Sequence, residues 1–104
     1  MSAPIRVVQS RAYRRWFEGL RDQRARDRIL AGVRRLSLGH FGNSKGVAGG
    51  LHELRVDYGP GYRVYFASRG DNLLLAWGGD KSRQKTDIER ARAIAATWEP
   101  EHET

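Results

Sequence analysis

The stretch LHELRVDYGPGYRVYFAS, residues 51–68, decides the fold of this chain. It contains two runs, Leu51 to Tyr58 and Tyr62 to Ser68, in which apolar and polar residues alternate as they do in β-strands. Gly59-Pro60-Gly61 between the runs marks a turn. The stretch therefore predicts an antiparallel hairpin with one apolar face and one polar face.

The register of this hairpin follows from keeping apolar residues opposite one another. A three-residue turn places the apolar residues in three pairs, which are Tyr58 with Tyr62, Val56 with Val64 and Leu54 with Phe66. On the polar face the same register pairs Asp57 with Arg63 and Arg55 with Tyr65, with Glu53 one step further along. Arg55 and Arg63 are thus expected on one face of the sheet.

Helical patterns lie on both sides of the hairpin. Residues 5–9 read as a first strand, and Ser10 and Asp22 can each cap a helix with an apolar stripe, the second ending at Gly39. Residues 39–50 contain five glycines and are expected to form a loop. Leu73 to Trp77 is apolar on both faces, as in a central strand, and a last helix starts at Ser82 or Thr86 and ends before Pro100.

The predicted order is β-α-α-β-β-β-α, which describes a single α+β domain over residues 1–104. Its sheet is mostly antiparallel, covered by a helical hairpin and a C-terminal helix. The chain has no Cys, which excludes a disulfide scaffold and a Cys nucleophile. Its longest apolar run has five residues and its first ten residues lack a leader pattern, so a cytoplasmic protein without a membrane segment is expected.

The net charge indicates the kind of binding partner, and the spacing of the histidines bears on metal binding. The formal net charge of +7 favours an acidic partner, with nucleic acid as the first candidate and an acidic protein as the second. His40, His52 and His102 share no ligand spacing, so no metal and no cofactor is expected. His52 falls on the apolar face of the hairpin and is expected to be a core or edge residue.

The polar face of the hairpin is the candidate site. Arg55 and Arg63 could hold the oxygens of a phosphate as charge grows on it. RNA supplies its own nucleophile, the 2′-OH, so cleavage needs further groups only for proton transfer. Lys81 could stabilise the leaving oxygen or accept a proton, and Tyr65 could relay one. The alternative is that Arg63–Asp57 and Arg55–Glu53 are surface ion pairs worth under about 1 kcal/mol each.

Three further cations are candidate RNA contacts. Lys45 is the only cation of the glycine-rich loop and could close over a phosphate, although a plain connecting loop would have the same sequence. Arg83 and Lys85 follow Lys81 at the exit of the last strand.

These residues carry a resemblance to a known family. Residues 50–66, followed by LAWGGDKS at 75–82 and by Asp87 and Ile88, resemble the RelE/ParE superfamily of toxins, in particular the HigB-like, phage-derived "addiction module killer" branch. The resemblance implies the RelE-like fold and a toxin held inactive by a cognate antitoxin, often a helix-turn-helix protein of the adjacent gene. It also implies contact with operator DNA only through the antitoxin complex.

The resemblance further implies an activity and its residues. Relatives of the RelE and HigB type cut mRNA on the ribosome without a metal. Arg63 and Arg55 match two of their basic residues by position, and Lys81 falls near the basic residue that follows their last strand. This chain has no Tyr after Tyr65, and only His102 in its tail, where many relatives carry a Tyr or His. ParE-like inhibition of DNA gyrase therefore stays open, as does a non-catalytic module that holds an acidic partner.

Overall fold

The computed structural model describes residues 5–99, and its elements follow the predicted order with one additional strand. The strands are β1 (Arg6–Gln9), β2 (Ser44–Gly46), β3 (Leu51–Val56), β4 (Tyr62–Arg69) and β5 (Asn72–Asp80). The helices are α1 (Arg11–Glu18), α2 (Gln23–Ser37) and α3 (Gln84–Thr97), with a short 3-10 turn at Lys81–Arg83 before α3. Pro100 and His102 lie outside the described residues.

The strands form one sheet in the order β1-β5-β4-β3-β2. β1 runs parallel to β5, and the other neighbouring strands are antiparallel. The α+β class, the mostly antiparallel sheet and the C-terminal helix are thus confirmed. Across residues 5–99, no helix has both the length and the apolar composition needed to cross a membrane.

Apolar clusters form on both faces of the sheet. The first cluster joins α1 and α2 to one face through the buried residues Tyr13, Ile29, Leu36, Leu54, Val56, Val64, Phe66, Leu73 and Leu75. The second joins α3 to the opposite face through Leu51, Tyr65, Ala67, Leu74, Ala76, Ala91 and Ala95. The sheet therefore lies between two helical layers, and neither face of β3 and β4 is wholly open to solvent.

The predicted caps of the first two helices are present. The Ser10 hydroxyl accepts a hydrogen bond from the Tyr13 N–H at 3.0 Å and donates one to the Ala76 carbonyl at 2.6 Å, which ties the start of α1 to β5. Asp22 accepts from the N–H groups of Arg24 and Ala25. Each cap satisfies donors that the first turn of a helix leaves unpaired.

The predicted register of the hairpin is wrong by two residues. Arg55 lies opposite Arg63 and Glu53 opposite Tyr65, so neither the Asp57–Arg63 pair nor the Arg55–Tyr65 pair forms. The physical reason is a longer turn, because both of its glycines adopt positive φ angles (56° and 81°) and take Tyr58 out of the ladder. Since a shift of two keeps the alternation, each residue remains on its predicted face.

Tyr58 is held outside the ladder by contacts with the start of α2. Its hydroxyl donates to Asp22 Oδ2 at 3.1 Å, and the Arg28 guanidinium lies 5.0 Å from the centre of its ring. The hairpin turn is therefore fixed to the helical layer as well as to its own strands.

The loop expected at residues 39–50 contains the edge strand β2. Residues 44–46 pair with residues 52–54 of β3, so the sheet gains a fifth strand. The sequence pattern does not predict this strand, because the strand is short and polar.

α3 starts at neither of the two predicted residues, Ser82 and Thr86. The helix begins at Gln84, after the 3-10 turn, and no side chain caps it. The carboxylate of Asp80 instead accepts the N–H and the hydroxyl of Ser82 at the start of that turn.

β5 contains a β-bulge at Ala76. Tyr65 lies opposite Trp77, whereas Phe66 lies opposite Leu75, so Ala76 is the extra residue. Ala76 and Trp77 consequently both belong to the α3 side of the sheet. Beyond the bulge, a side chain at Gly78 would meet the ring of Trp16, because an added Cβ would lie 2.0 Å from Trp16 Cε3.

Candidate functional site

Arg55 and Arg63 lie side by side on the α3 face of the sheet. They are direct partners across β3 and β4, so their side chains leave the sheet on the same side. The Arg55 side chain is exposed, and its guanidinium has no hydrogen-bond or ion-pair partner among residues 5–99. It is therefore available to an anionic ligand.

Arg63, in contrast, is buried and fixed. Its Nε lies 2.8 Å from Glu53 Oε1 in a close ion pair, and its Nη1 donates to the carbonyls of Gly61 and Tyr62, each at 3.1 Å. Glu53 is only 1% exposed, and its carboxylate also accepts from Gln84 Nε2 at 3.1 Å. Since a guanidinium has five N–H donors, the two hydrogens of Nη2 are left for a ligand.

Lys81 comes close to Arg63 because of the glycine at position 61. A Cβ added at Gly61 would lie 3.4 Å from both Arg63 Nη1 and Lys81 Cβ. Arg63 and Lys81 also line one cavity of about 450 Å³ beside the hairpin turn, which Asp57 lines as well. Lys81 is exposed and has no ion-pair partner in the described chain. We call Arg55, Arg63 and Lys81 the cationic cluster.

Tyr65 lies beside the cationic cluster but beneath the surface. It is 0% exposed, and its hydroxyl makes no hydrogen bond of regular geometry within residues 5–99. Burial, followed by the nearby carboxylates of Glu53 and Asp87, raises its pKa to about 12. This position does not fit direct proton transfer to a bound phosphate, because α3 covers the residue.

The three predicted RNA contacts are spread over different places. Lys45 is exposed in β2 opposite Glu53, which places it diagonally from Arg55 on the same face. Lys85 is exposed in the first turn of α3. Arg83 instead lines a separate cavity of about 650 Å³ at the end of β5, which Arg15 of α1 also lines. Lys45 thus extends the cationic cluster, whereas Arg83 belongs to another cavity.

Two carboxylates near this site were not among the predicted residues. Glu53 holds Arg63, and Asp87 accepts a hydrogen bond from Trp77 Nε1 at 3.0 Å. Burial raises the pKa of Asp87 above its usual value. An added Cβ at Gly79 would lie 2.1 Å from Asp87 Oδ2, so only glycine leaves room for this carboxylate. The apolar run on both faces of β5 was the available signal, since it requires a helix over this face too.

The remaining predicted features lie elsewhere. His52 is half-buried on the face opposite the cationic cluster and stacks on Phe66 with ring centres 5.4 Å apart, in agreement with a core or edge position. Within residues 5–99, no group of three or more His, Asp or Glu side chains is close enough together to hold a metal ion.

Comparisons with known proteins identify a relative. No family model matches the chain. A protein of Haemophilus influenzae, described as "Uncharacterized protein", is 40% identical over 92 residues, which cover 88% of this chain and 93% of the relative. Identity at this level over nearly the full length of both chains indicates common descent and a shared fold. The chain therefore belongs to the same protein family as this Haemophilus influenzae protein.

Proposed function

We propose that this chain is the toxin of a type II toxin–antitoxin system with a RelE-like fold. In this proposal it cleaves mRNA on the ribosome without a metal and so inhibits translation. The observation that carries the proposal is the cationic cluster, in which Arg55 and Lys81 are free of ion pairs and lie beside Arg63. The sequence resemblance to the RelE/ParE superfamily supplies the biological setting.

The chemistry suits a phosphodiester. When a 2′-OH attacks the neighbouring phosphorus, a second negative charge develops on the phosphorane oxygens. Fixed donors stabilise such charge best because they need no reorganisation during the reaction. The contacts of Arg63 with Glu53 and two carbonyls hold one guanidinium in place, and the free side chains of Arg55 and Lys81 can approach the same group.

The roles of the individual residues follow from their exposure. Arg55 and Nη2 of Arg63 would bind the phosphorane oxygens. Lys81 would protonate the leaving 5′-oxygen, while solvent water would accept the proton of the attacking 2′-OH. Lys45 would bind a neighbouring phosphate along β2. Tyr65 would act as a positioning residue, because it lies opposite Glu53 across the two strands and is fully buried.

Two single substitutions test this proposal. Arg55→Ala and Lys81→Ala remove exposed side chains without ion pairs, so they should leave the fold intact. Each is expected to lower cleavage of translated mRNA by about 100-fold, the usual loss when one donor to a developing charge is removed. The measurement is primer extension on translated mRNA after expression without an antitoxin, together with growth.

The matched control is Arg14→Ala, which removes an exposed arginine of α1 on the opposite side of the sheet. It should retain full activity. If Arg55→Ala and Lys81→Ala both cleave mRNA as the unmodified protein does, the endonuclease proposal is wrong. Arg63→Ala is a poorer test, because it would leave Glu53 buried without its ion-pair partner.

A ParE-like inhibitor of DNA gyrase is the second candidate. The sequence favours it, since no Tyr follows Tyr65 where many relatives of the mRNA-cleaving type carry a Tyr or His. This function would give a DNA-damage response and accumulated cleaved DNA complexes, with translated mRNA left intact. A chain that slows growth in neither way would instead be a non-catalytic binding module.

The proposed partner is an antitoxin, of helix-turn-helix type, whose acidic segment covers the cationic cluster. The net charge of +7 and the exposed Arg55 and Lys81 favour such a partner. Association between opposite charges slows as salt is raised. Stopped-flow association of the two proteins should therefore slow markedly between low and physiological salt, and a rate independent of salt would contradict this role of the cluster.

A further inference from the structure

A second cavity lies near β2, on the face of the sheet opposite the cationic cluster. Its volume is about 440 Å³, within the usual range of ligand sites, and we call it the stacking cavity. The lining residues are Phe41, Ser44, Lys45, Gly46, His52, Phe66 and Ser68. Three of them are aromatic, two carry a hydroxyl, one is cationic and none is acidic.

The aromatic rings of the stacking cavity are nearly parallel. Phe41 stacks on Phe66 with ring centres 6.2 Å apart and planes inclined by 23°. His52 stacks on the same ring at 5.4 Å and 21°. Stacked aromatic side chains of this kind provide a platform on which a further flat ring can lie.

Phe41 is both exposed and held in place. It is 43% exposed, so its ring is accessible to a ligand. The turn that carries it is closed by Ser44, whose N–H and hydroxyl both donate to the Phe41 carbonyl at 3.0 and 2.7 Å. Little conformational freedom would therefore be lost when a ligand stacks on this ring.

Polar groups that could bind a ligand lie beside the aromatic rings of the stacking cavity. The imidazole of His52 makes no hydrogen bond with any other residue of the described range. Gly46 lies beside this imidazole, since a Cβ added there would be in van der Waals contact with it, 3.9 Å from His52 Nδ1. Lys45 is exposed and without an ion pair, so it can neutralise a phosphate. A planar heterocycle joined to a phosphate matches this set of groups.

We propose that the stacking cavity binds an unpaired nucleobase of single-stranded RNA, with the base on Phe41 and His52 and a phosphate on Lys45. This inference rests on the proposed function, because it takes the RNA of the cationic cluster as its ligand. Lys45 lies in the edge strand, where its side chain leaves the sheet on the face of Arg55, and the residue also lines the stacking cavity at this edge. One RNA strand that crosses this edge would occupy both sites.

The test is the affinity of the purified protein for a short single-stranded RNA, measured by fluorescence anisotropy. Phe41→Leu keeps the apolar surface but removes the ring, and it should weaken binding about tenfold, because stacking of one base is worth roughly 1–3 kcal/mol. Phe41→Trp keeps a ring and should bind as tightly as the unmodified protein. Leu30→Ala is the matched control, since it removes another exposed apolar side chain, 50% exposed, without touching the cavity.

An abasic oligomer with the same sugar–phosphate backbone separates stacking from charge. The unmodified protein should bind it about tenfold more weakly than the normal RNA, and Phe41→Leu should weaken this binding no further. Equal binding of the two oligomers, or equal affinities of Phe41→Leu and the unmodified protein, would overturn the inference. So would a loss of affinity in Phe41→Leu for a protein partner but not for RNA.

These outcomes are independent of the tests of the proposed function. Intact cleavage in Arg55→Ala and Lys81→Ala contradicts the endonuclease proposal and says nothing about Phe41. Unchanged RNA affinity in Phe41→Leu overturns the stacking site and leaves the cleavage proposal standing.

Discussion

Replacing Glu53 by Gln is expected to lower the free energy of unfolding by about 3 kcal/mol, because the change leaves the charge of Arg63 buried without a counter-ion. Removal of one partner of a buried pair usually costs about 3–5 kcal/mol. The lower end applies here, since the carbonyls of Gly61 and Tyr62 remain bonded to Arg63 Nη1. Gln84 can also still donate to the oxygen of the new amide.

The assay is urea unfolding followed by the fluorescence of Trp16 and Trp77, which pack on the two faces of the sheet. A domain of this size is stable by about 5–15 kcal/mol, so Glu53→Gln should remain folded and unfold at lower urea. Asp57→Asn is the matched control, because it removes an exposed carboxylate from the same hairpin. It should change the stability by less than about 0.5 kcal/mol.

A double-mutant cycle extends this test. Arg63→Met alone leaves Glu53 buried with only Gln84 as a partner, whereas Glu53→Met together with Arg63→Met removes both charges. The double variant should therefore be less destabilised than the sum of its parts, by at least about 1 kcal/mol. The reasoning that this pair is coupled and buried would be refuted if Glu53→Gln were as stable as the unmodified protein. Simple additivity of the two substitutions in the cycle would refute it as well.

Three further outcomes are expected. Gly78→Ala should destabilise the fold by about 1–3 kcal/mol in urea unfolding, because the added Cβ would lie 2.0 Å from the Trp16 ring. Gly42→Ala is the control and should be neutral, since a Cβ at Gly42 meets no neighbour within 4 Å. The pKa of Tyr65 rises from 10.0 to about 12, so the unfolded chain loses this proton first. The free energy of unfolding should thus fall between those two pH values, and Tyr65→Phe should make that decline shallower in unfolding measured at each pH. Arg69→Lys should speed hydrogen exchange at the end of α3, because the guanidinium donates to the carbonyls of Ala95 and Trp98 and lies 5.2 Å from the centre of the Trp98 ring. Unchanged exchange would show that these contacts do not stabilise the end of the helix.

The alternation of residues 51–68 was sufficient to predict which side chains share a face. Arg55 and Arg63 were expected on one side of the sheet and are found there, because every residue stays on its face when the register shifts by two. The register itself depends on the turn. Two glycines with positive φ and the contact of Tyr58 with Asp22 lengthen that turn, and the contact with α2 is not visible in the local pattern.

Burial of the site could be predicted only in part. The apolar residues on both faces of β5 indicated helices on both sides of the sheet, but the alternation in β3 and β4 suggested an open polar face. The structure reconciles the two patterns, since α3 packs over Glu53 and Tyr65 and leaves Arg55 exposed. Which polar residues a helix covers depends on its packing angle, and neither propensity nor periodicity contains that information.

The parallel pairing of β1 with β5 has a consequence for how the chain is made. Arg6 is opposite Asn72, so the first strand has no partner until most of the polypeptide has been synthesised. At about 5–20 residues per second the nascent amino terminus waits for roughly 3–13 s. Pairings between segments so distant in sequence also form late, because a large loop must close before they contribute. Lys81 follows β5 directly, so closure of the sheet and assembly of the cationic cluster coincide, and an unfinished chain lacks that cluster.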